Sequence, residues 1–173
     1  MPFSKTILLG AAAGMSGAWA MVQFTRLWNI FFARLQKHEP LPVSYSQQEW
    51  DATSTMAEST ASLVLGRHLT PREKRAGAII VHYAVGSAAG AFYAILARRS
   101  TAITRFSGVL FGFTVWLVAE ELLLPVAEVS ARHNRYTFLD QANSLGEHLI
   151  FAVTVDALDR SASAHLQSKP INS

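Results

Sequence analysis

Between Gly77 and Glu121 the chain reads GAIIVHYAVGSAAGAFYAILA, then RRSTAITR, then FSGVLFGFTVWLVAEE. Two apolar segments flank a short basic turn, and ionisable groups gather at their ends. Each also carries a small-xxx-small step, the spacing that lets membrane helices approach at backbone level. This is the pattern of two packed transmembrane helices. It fixes the solvent in which the rest of the chain is read.

The remaining segments fit that solvent. Thr6 to Thr25 holds no charge over about 20 residues, enough to cross a hydrocarbon core, with Lys5 before it and Arg26 after it. Ala18-Trp19-Ala20 resembles a signal-peptidase site. The single charge ahead of the apolar run weighs against cleavage, so a retained helix is expected, with Gly10, Gly14 and Gly17 on a close-packing face. Trp28, Phe31 and Phe32 beside Arg34 and Lys37 suit a helix end at headgroup level. Pro40 and Pro42 then interrupt it.

Ser46 and Glu49 have capping-box spacing for a short helix ending near Gly66, with Trp50, Ala57, Ala61 and Val64 near one face. Thr70-Pro71-Arg72-Glu73 is a strong helix start: an N-cap threonine, proline at the first helical position and glutamate at the third. A third apolar segment runs from about Phe106 to Val126. A fourth is weaker, because Glu147, His148 and Asp156 lie within it or at its edges.

The expected fold is therefore all-α, an integral-membrane bundle of four transmembrane helices in one domain spanning 1–159. The helices are expected over about 6–33, 71–97, 105–126 and 142–159. A polar loop and a short amphipathic helix fill 36–70, and 160–173 form a polar C-terminal tail. Half of the residues are hydrophobic and only 16% are charged, below the roughly 25% of soluble domains. There is no cysteine, which excludes disulfides and thiolate-held metals. The net charge of +3 comes from basic residues at the ends of apolar segments. That fits lipid headgroups and not a nucleic-acid footprint. Cations bound both ends of the helices, so charge assigns no orientation.

The depth of the ionisable residues can be counted. His82 lies 16 residues before Arg98, and Glu120 lies 15 residues after Arg105. At 1.5 Å per residue both fall about 22–24 Å from the basic turn. His148, near the start of the fourth segment, reaches the same level with Glu147 beside it, and Gln23 arrives from the first. One polar layer is expected from His82, Glu120, Glu121, Glu147 and His148. His82, Gly86, Gly90 and Tyr93 share one stripe, and Gly108, Gly112, Trp116 and Glu120 share another.

Such a layer has three readings. Side chains of this kind are common hydrogen-bonding glue between helices. They can also form a proton, ion or metal site. For a metal, Glu147 and His148 are adjacent and turned away from each other, so metal binding is left as unknown and no cofactor is implied. Trp116, Tyr83 and Tyr93 could line a lipid or quinone pocket, though aromatics there are more often packing. The glycines of the first helix lack the lysine and serine or threonine of a phosphate loop. Ser16, Ser87 and Ser107 have no histidine at their depth.

HYAVGSAAGAFYA, GVLFGFTVWLVAEELLLP and GEHLIFAVTVDAL together resemble the YagU-like bacterial inner-membrane proteins, a four-helix family without an assigned activity. The resemblance rests on His82, Tyr83, Gly86, Gly90, Tyr93, Gly108, Gly112, Trp116, Glu120 or Glu121, Pro125, Gly146 and His148. It implies a multi-pass protein of the bacterial inner membrane. The expected role is a small accessory or scaffold protein whose partners are the bilayer and other membrane subunits or further copies of itself. The alternative is a transporter or membrane-enzyme component using Glu120, His82 and His148.

Overall fold

The computed structural model describes residues 2–35, 45–119 and 138–167. Among them the structure is all-α: α1 (Phe3–Leu35), α2 (Tyr45–Leu65), α3 (Pro71–Arg99), α4 (Val109–Val118) and α5 (Phe138–Gln167). A single helical turn, Thr101–Thr104, and a 3₁₀ turn, Arg105–Gly108, join α3 to α4. Two of the helices are long and apolar enough to cross a membrane, Phe3–Phe32 and Pro71–Arg99.

Local chemistry explains the helix ends. At Thr70 the side chain accepts from the Glu73 amide, while Glu73 Oε2 accepts from the Thr70 amide at 2.8 Å. This is the reciprocal capping box its spacing announces. α2 stops at Gly66, whose φ of +65° and amide bond to the Ser62 carbonyl make a left-handed terminator. It begins at Tyr45, one residue ahead of the serine expected to cap it.

α1, α3 and α5 form the core. α1 buries Thr6, Gly10, Ala13, Gly14, Gly17, Ala18, Met21 and Thr25, a 3–4 alternation that makes one inward stripe. Gly10 and Gly14 lie against Gly86, Gly90 and Ala94, so α1 runs antiparallel to α3. Gly17 rests on Phe151 and Val155, and Gly146 on Phe24, so α1 is also antiparallel to α5. Tyr93, Phe111, Phe151, Ala152 and Val155 fill the centre. α4 joins through Gly108 and Gly112 on Ala152 and the His148 carbonyl. α2 packs Ala57 on Gly77 of α3.

Several boundaries and contacts differ from the expected ones. The hairpin's two glycine faces do not meet each other. Those of α3 meet α1 and those of α4 meet α5, while the hairpin helices touch through the rings of Tyr93 and Phe111, 4.9 Å apart. The third helix starts at Val109 and not near 105, because Phe106, Ser107 and Gly108 all have positive φ (58°, 52° and 77°). Two of these are not glycine and are strained there. α5 extends past both ends of the expected 142–159, and its last turns, through Gln167, occupy part of the expected polar tail. Arg160 and Ser163 on those turns bond back to the bundle. Glu120, Glu121 and Pro125 lie outside the described residues, as does the loop 36–44.

Glu58 ties α2 to the start of α3. Its carboxylate is 2.8 Å from His68 Nδ1 and 3.3 Å from Lys74 Nζ, and it accepts the Leu69 amide. The His68 bond is the main reason its pKa lies below the ordinary carboxylate value, with Lys74 and the amide assisting. A folded-state pKa below the unfolded one means stability present above the unfolded value and lost as pH falls through the folded one. The Leu69 amide is therefore expected to lose protection, measured against its intrinsic exchange rate at each pH, as pH falls through the lowered Glu58 value. In Glu58→Gln that amide should exchange fast with no such acid step, and an unchanged step would rule Glu58 out as its source.

Candidate functional site

α5 carries the site. Its inward stripe holds Asn143, Ser144, Glu147, Phe151, Ala152, Val155, Asp156 and Asp159. Three of these are carboxylates at least nine-tenths buried, Glu147 completely so. Its outward residues Ile150, Val153 and Leu158 are apolar and exposed. The polarity of the helix is thus turned inside out relative to a helix of a water-soluble bundle.

The carboxylates fall in two groups. At one end, the Thr25 hydroxyl of α1 donates to Glu147 Oε1 and lies 3.1 Å from the Met21 carbonyl. Asn143 Nδ2 donates to the same Glu147 oxygen at 2.7 Å. At the other end, Asp156 Oδ1 accepts from the Tyr93 hydroxyl of α3 at 2.5 Å and from Arg160 Nε at 2.8 Å. Arg160 also donates to the Thr104 carbonyl, which holds the turn ahead of α4. One helical turn on, Asp159 takes a forked contact from Arg98 of α3 at 3.1–3.3 Å. Carboxylates buried this deeply need such partners, since an uncompensated charge would be costly.

The described members of the expected polar layer, His82, Glu147 and His148, do not share one level. His82 is buried and its Nε2 donates to the Ala18 carbonyl at 3.1 Å. Glu147 meets α1 at Thr25, seven residues along, or about 10 Å at the rise of a helix. His148 is half-buried and its Nδ1 donates to the Ser144 carbonyl of its own helix at 2.9 Å. Glu147 faces α1 while the His148 backbone faces Gly112 of α4. The structure therefore brings Glu147 to α1 and His82 to α1, but at separate heights. Gly10, Gly14, Gly86 and Gly90 sit in the α1–α3 seam, and Gly108 and Gly112 in the α4–α5 seam. Among the described residues no group of three or more His, Asp or Glu side chains is placed to hold a metal ion.

Thr25, Asn143, Asp159, Arg98 and Arg160 were not among the residues singled out by pattern as site candidates. Spacing is the signal that finds Asn143 and Asp159, which recur with Glu147 and Asp156 close to helical period on one side of α5; it does not mark Thr25, Arg98 or Arg160.

The profile of a family described as proteins of unknown function (DUF1440) matches residues 44–157. The chain belongs to that family. The DUF1440 stretch takes in α2, α3, α4 and α5 as far as Asp156 and its neighbour, and leaves out α1. Tyr93, Asn143, Glu147, His148 and Asp156 thus lie inside the family region, while Thr25, Asp159 and Arg160 lie outside it. No curated protein and no solved structure matches the chain.

Proposed function

We propose that this chain is a small integral-membrane accessory or scaffold protein, a multi-pass bundle of four transmembrane helices in a bacterial inner membrane. The spans would be α1, α3, the segment opened by α4, and α5. The observation that carries this reading is the inverted distribution of polarity. Glu147, Asp156 and Asp159 are buried, while Leu8, Trp19, Ile80 and Phe92 are between 57% and 69% exposed. In water those exposed side chains would form an aggregating surface; in lipid they face their own kind.

The scaffold role is supported by where the inward polar groups go. Glu147 holds α1, Asp156 and Asp159 hold α3, and His82 holds α1. Each bond fixes the rotation and register of one helix against another, which is what a rigid packing subunit requires. The transporter or enzyme-component reading draws on His82 and His148 acting together with Glu120. The separate heights of His82 and Glu147 speak against a shared site for the two histidines.

Two measurements test the proposal. The full chain should remain in the membrane pellet after alkaline carbonate extraction, and its release into the supernatant would overturn the membrane reading. Purification in mild detergent followed by mass spectrometry should recover a defined assembly, either with other membrane subunits or of several copies. A lone monomer would overturn the accessory role.

A further inference from the structure

We propose that the end of the bundle where α1 begins and α3 and α5 finish is a docking surface for anionic phospholipid. Its cations would take the headgroup phosphate, and Phe106 would enter the acyl layer. The contacts bring the parts together. Gly10 lies on Gly90 and Ala94, so Lys5, five residues earlier, is level with the last turn of α3. Arg98 of that turn grips Asp159 of α5, and Arg160 of α5 donates to the Thr104 carbonyl. Phe106 follows two residues later, on the turn that leads into α4.

Charge and apolarity together say what covers this end. Among the described residues its acids are Asp156 and Asp159, both buried, the first paired to Arg160 and the second to Arg98. Lys5 and Arg99 are exposed, and neither forms an ion pair among the described residues. The surplus is positive and attracts an anion. A soluble anion would leave the aromatic rings without a role. Phe106 is 72% exposed, and Phe3, two residues before Lys5, is 64% exposed. Apolar rings beside cations at helix ends match a lipid, whose phosphate suits the cations and whose methylenes suit the rings. A zwitterionic headgroup brings its own cation, so the positive surplus selects an anionic one. The backbone adds a third observation. Phe106 and Ser107 hold φ of 58° and 52°, a conformation that is costly for residues other than glycine. Arg160 holds this turn from α5 through the Thr104 carbonyl. The strained turn keeps a large apolar ring outside the bundle, where an acyl layer receives it.

A lipid partner rests on the membrane reading, and the two fail separately. Release by alkaline carbonate sinks the membrane reading, whereas a chain kept in the pellet that melts alike in both lipids below sinks the lipid surface alone. The test is thermal melting of the full chain in detergent micelles doped with phosphatidylglycerol or phosphatidylcholine, or in plain micelles with inorganic phosphate or polyglutamate added. Phosphatidylglycerol is expected to raise the midpoint over phosphatidylcholine by roughly 3–6 °C at ten times the half-saturating amount. Inorganic phosphate and polyglutamate should leave it in place. An equal rise with phosphate would assign the surface to a soluble anion, and an equal rise with polyglutamate to an acidic protein; either overturns the lipid. Lys5→Gln with Arg99→Gln should melt like the wild type in phosphatidylcholine and lose half or more of the phosphatidylglycerol rise. Phe106→Ala, which keeps the backbone strain and removes the ring, should lose a comparable share. A full rise retained by the double charge variant would overturn the assignment to this end, and one retained by Phe106→Ala would overturn the part given to the ring.

Discussion

Gly14→Ala, the smallest possible addition to this glycine, is expected to destabilise the protein by at least about 3 kcal/mol, the upper range for overpacking a close contact. A Cβ on Gly14 would sit 2.1 Å from the Gly86 carbonyl oxygen and 2.9 Å from Gly90 Cα. Both are backbone atoms of α3, which cannot swing aside as a side chain would. The helices would have to separate, loosening every dispersion contact along the seam. The His82 bond to the Ala18 carbonyl, one turn away, would stretch with them. In a chain of this length the melting midpoint should fall by roughly 6–12 °C. Gly90→Ala should behave alike, since its Cβ would meet the Gly10 carbonyl at 2.4 Å. Ala12→Val, on the exposed side of α1, is the matched control and should melt like the wild type. Size-exclusion chromatography of heated detergent extracts reads all three. A Gly14→Ala protein that melts with the wild type would show that the seam is not closed at backbone level.

The helix-forming chemistry of this seam was open to reading from the residues, but its pairing was not. Small residues at four-residue spacing mark a face as capable of close approach, and Gly10, Gly14, Gly86 and Gly90 all lie on such faces. Nothing in the spacing says which face meets which. Adjacent segments joined by a short turn suggested that α3 and α4 pack on each other, whereas α3 turns its glycines to α1. The cause lies in the connection. Phe106, Ser107 and Gly108 take left-handed conformations, so the chain does not pass from the basic turn directly into a helix. That interruption also undermines the depth count for Glu120, which assumed continuous helix from Arg105.

α5 teaches the complementary lesson. Its acidic residues make it look the weakest of the apolar segments, because each charge taken singly is costly in an apolar solvent. Taken by spacing, Asn143, Glu147, Asp156 and Asp159 lie along the buried side, and Ile150, Val153 and Leu158 are exposed. Such a helix is amphipathic with its polar side inward, and its charges are a pairing code between helices. The partners Thr25, Tyr93 and Arg98 lie 61 to 122 residues away. Spacing within one helix could not name them. Three-dimensional packing supplied that information.

The Arg98–Asp159 pair should carry the largest effect of this code. Asp159 is 6% exposed, and Arg98 grips it with both terminal nitrogens while also donating to the Ala94 carbonyl and the Ser163 hydroxyl. Arg98→Met removes the cation and leaves the carboxylate in place. Breaking a buried pair from one side costs about 3–5 kcal/mol, and the lower figure is expected because the arginine side chain is 29% exposed and reaches toward solvent. Asp159→Leu alone should cost less, because the guanidinium keeps the Ala94 carbonyl and the Ser163 hydroxyl as acceptors and reaches solvent. The double variant Arg98→Met with Asp159→Leu should recover most of the loss, since an apolar pair of similar volume replaces a buried ion pair at little or no cost. Arg98→Lys should fall between, keeping the charge and losing the forked geometry. Melting midpoints of the wild type, Arg98→Met, Asp159→Leu and the double variant close a double-mutant cycle. A coupling of about 2 kcal/mol or more, with the double variant more stable than either single one, is the expected result. Losses that simply add would mean that the two groups hold the helices independently, and that α5 is not locked to α3 by charge.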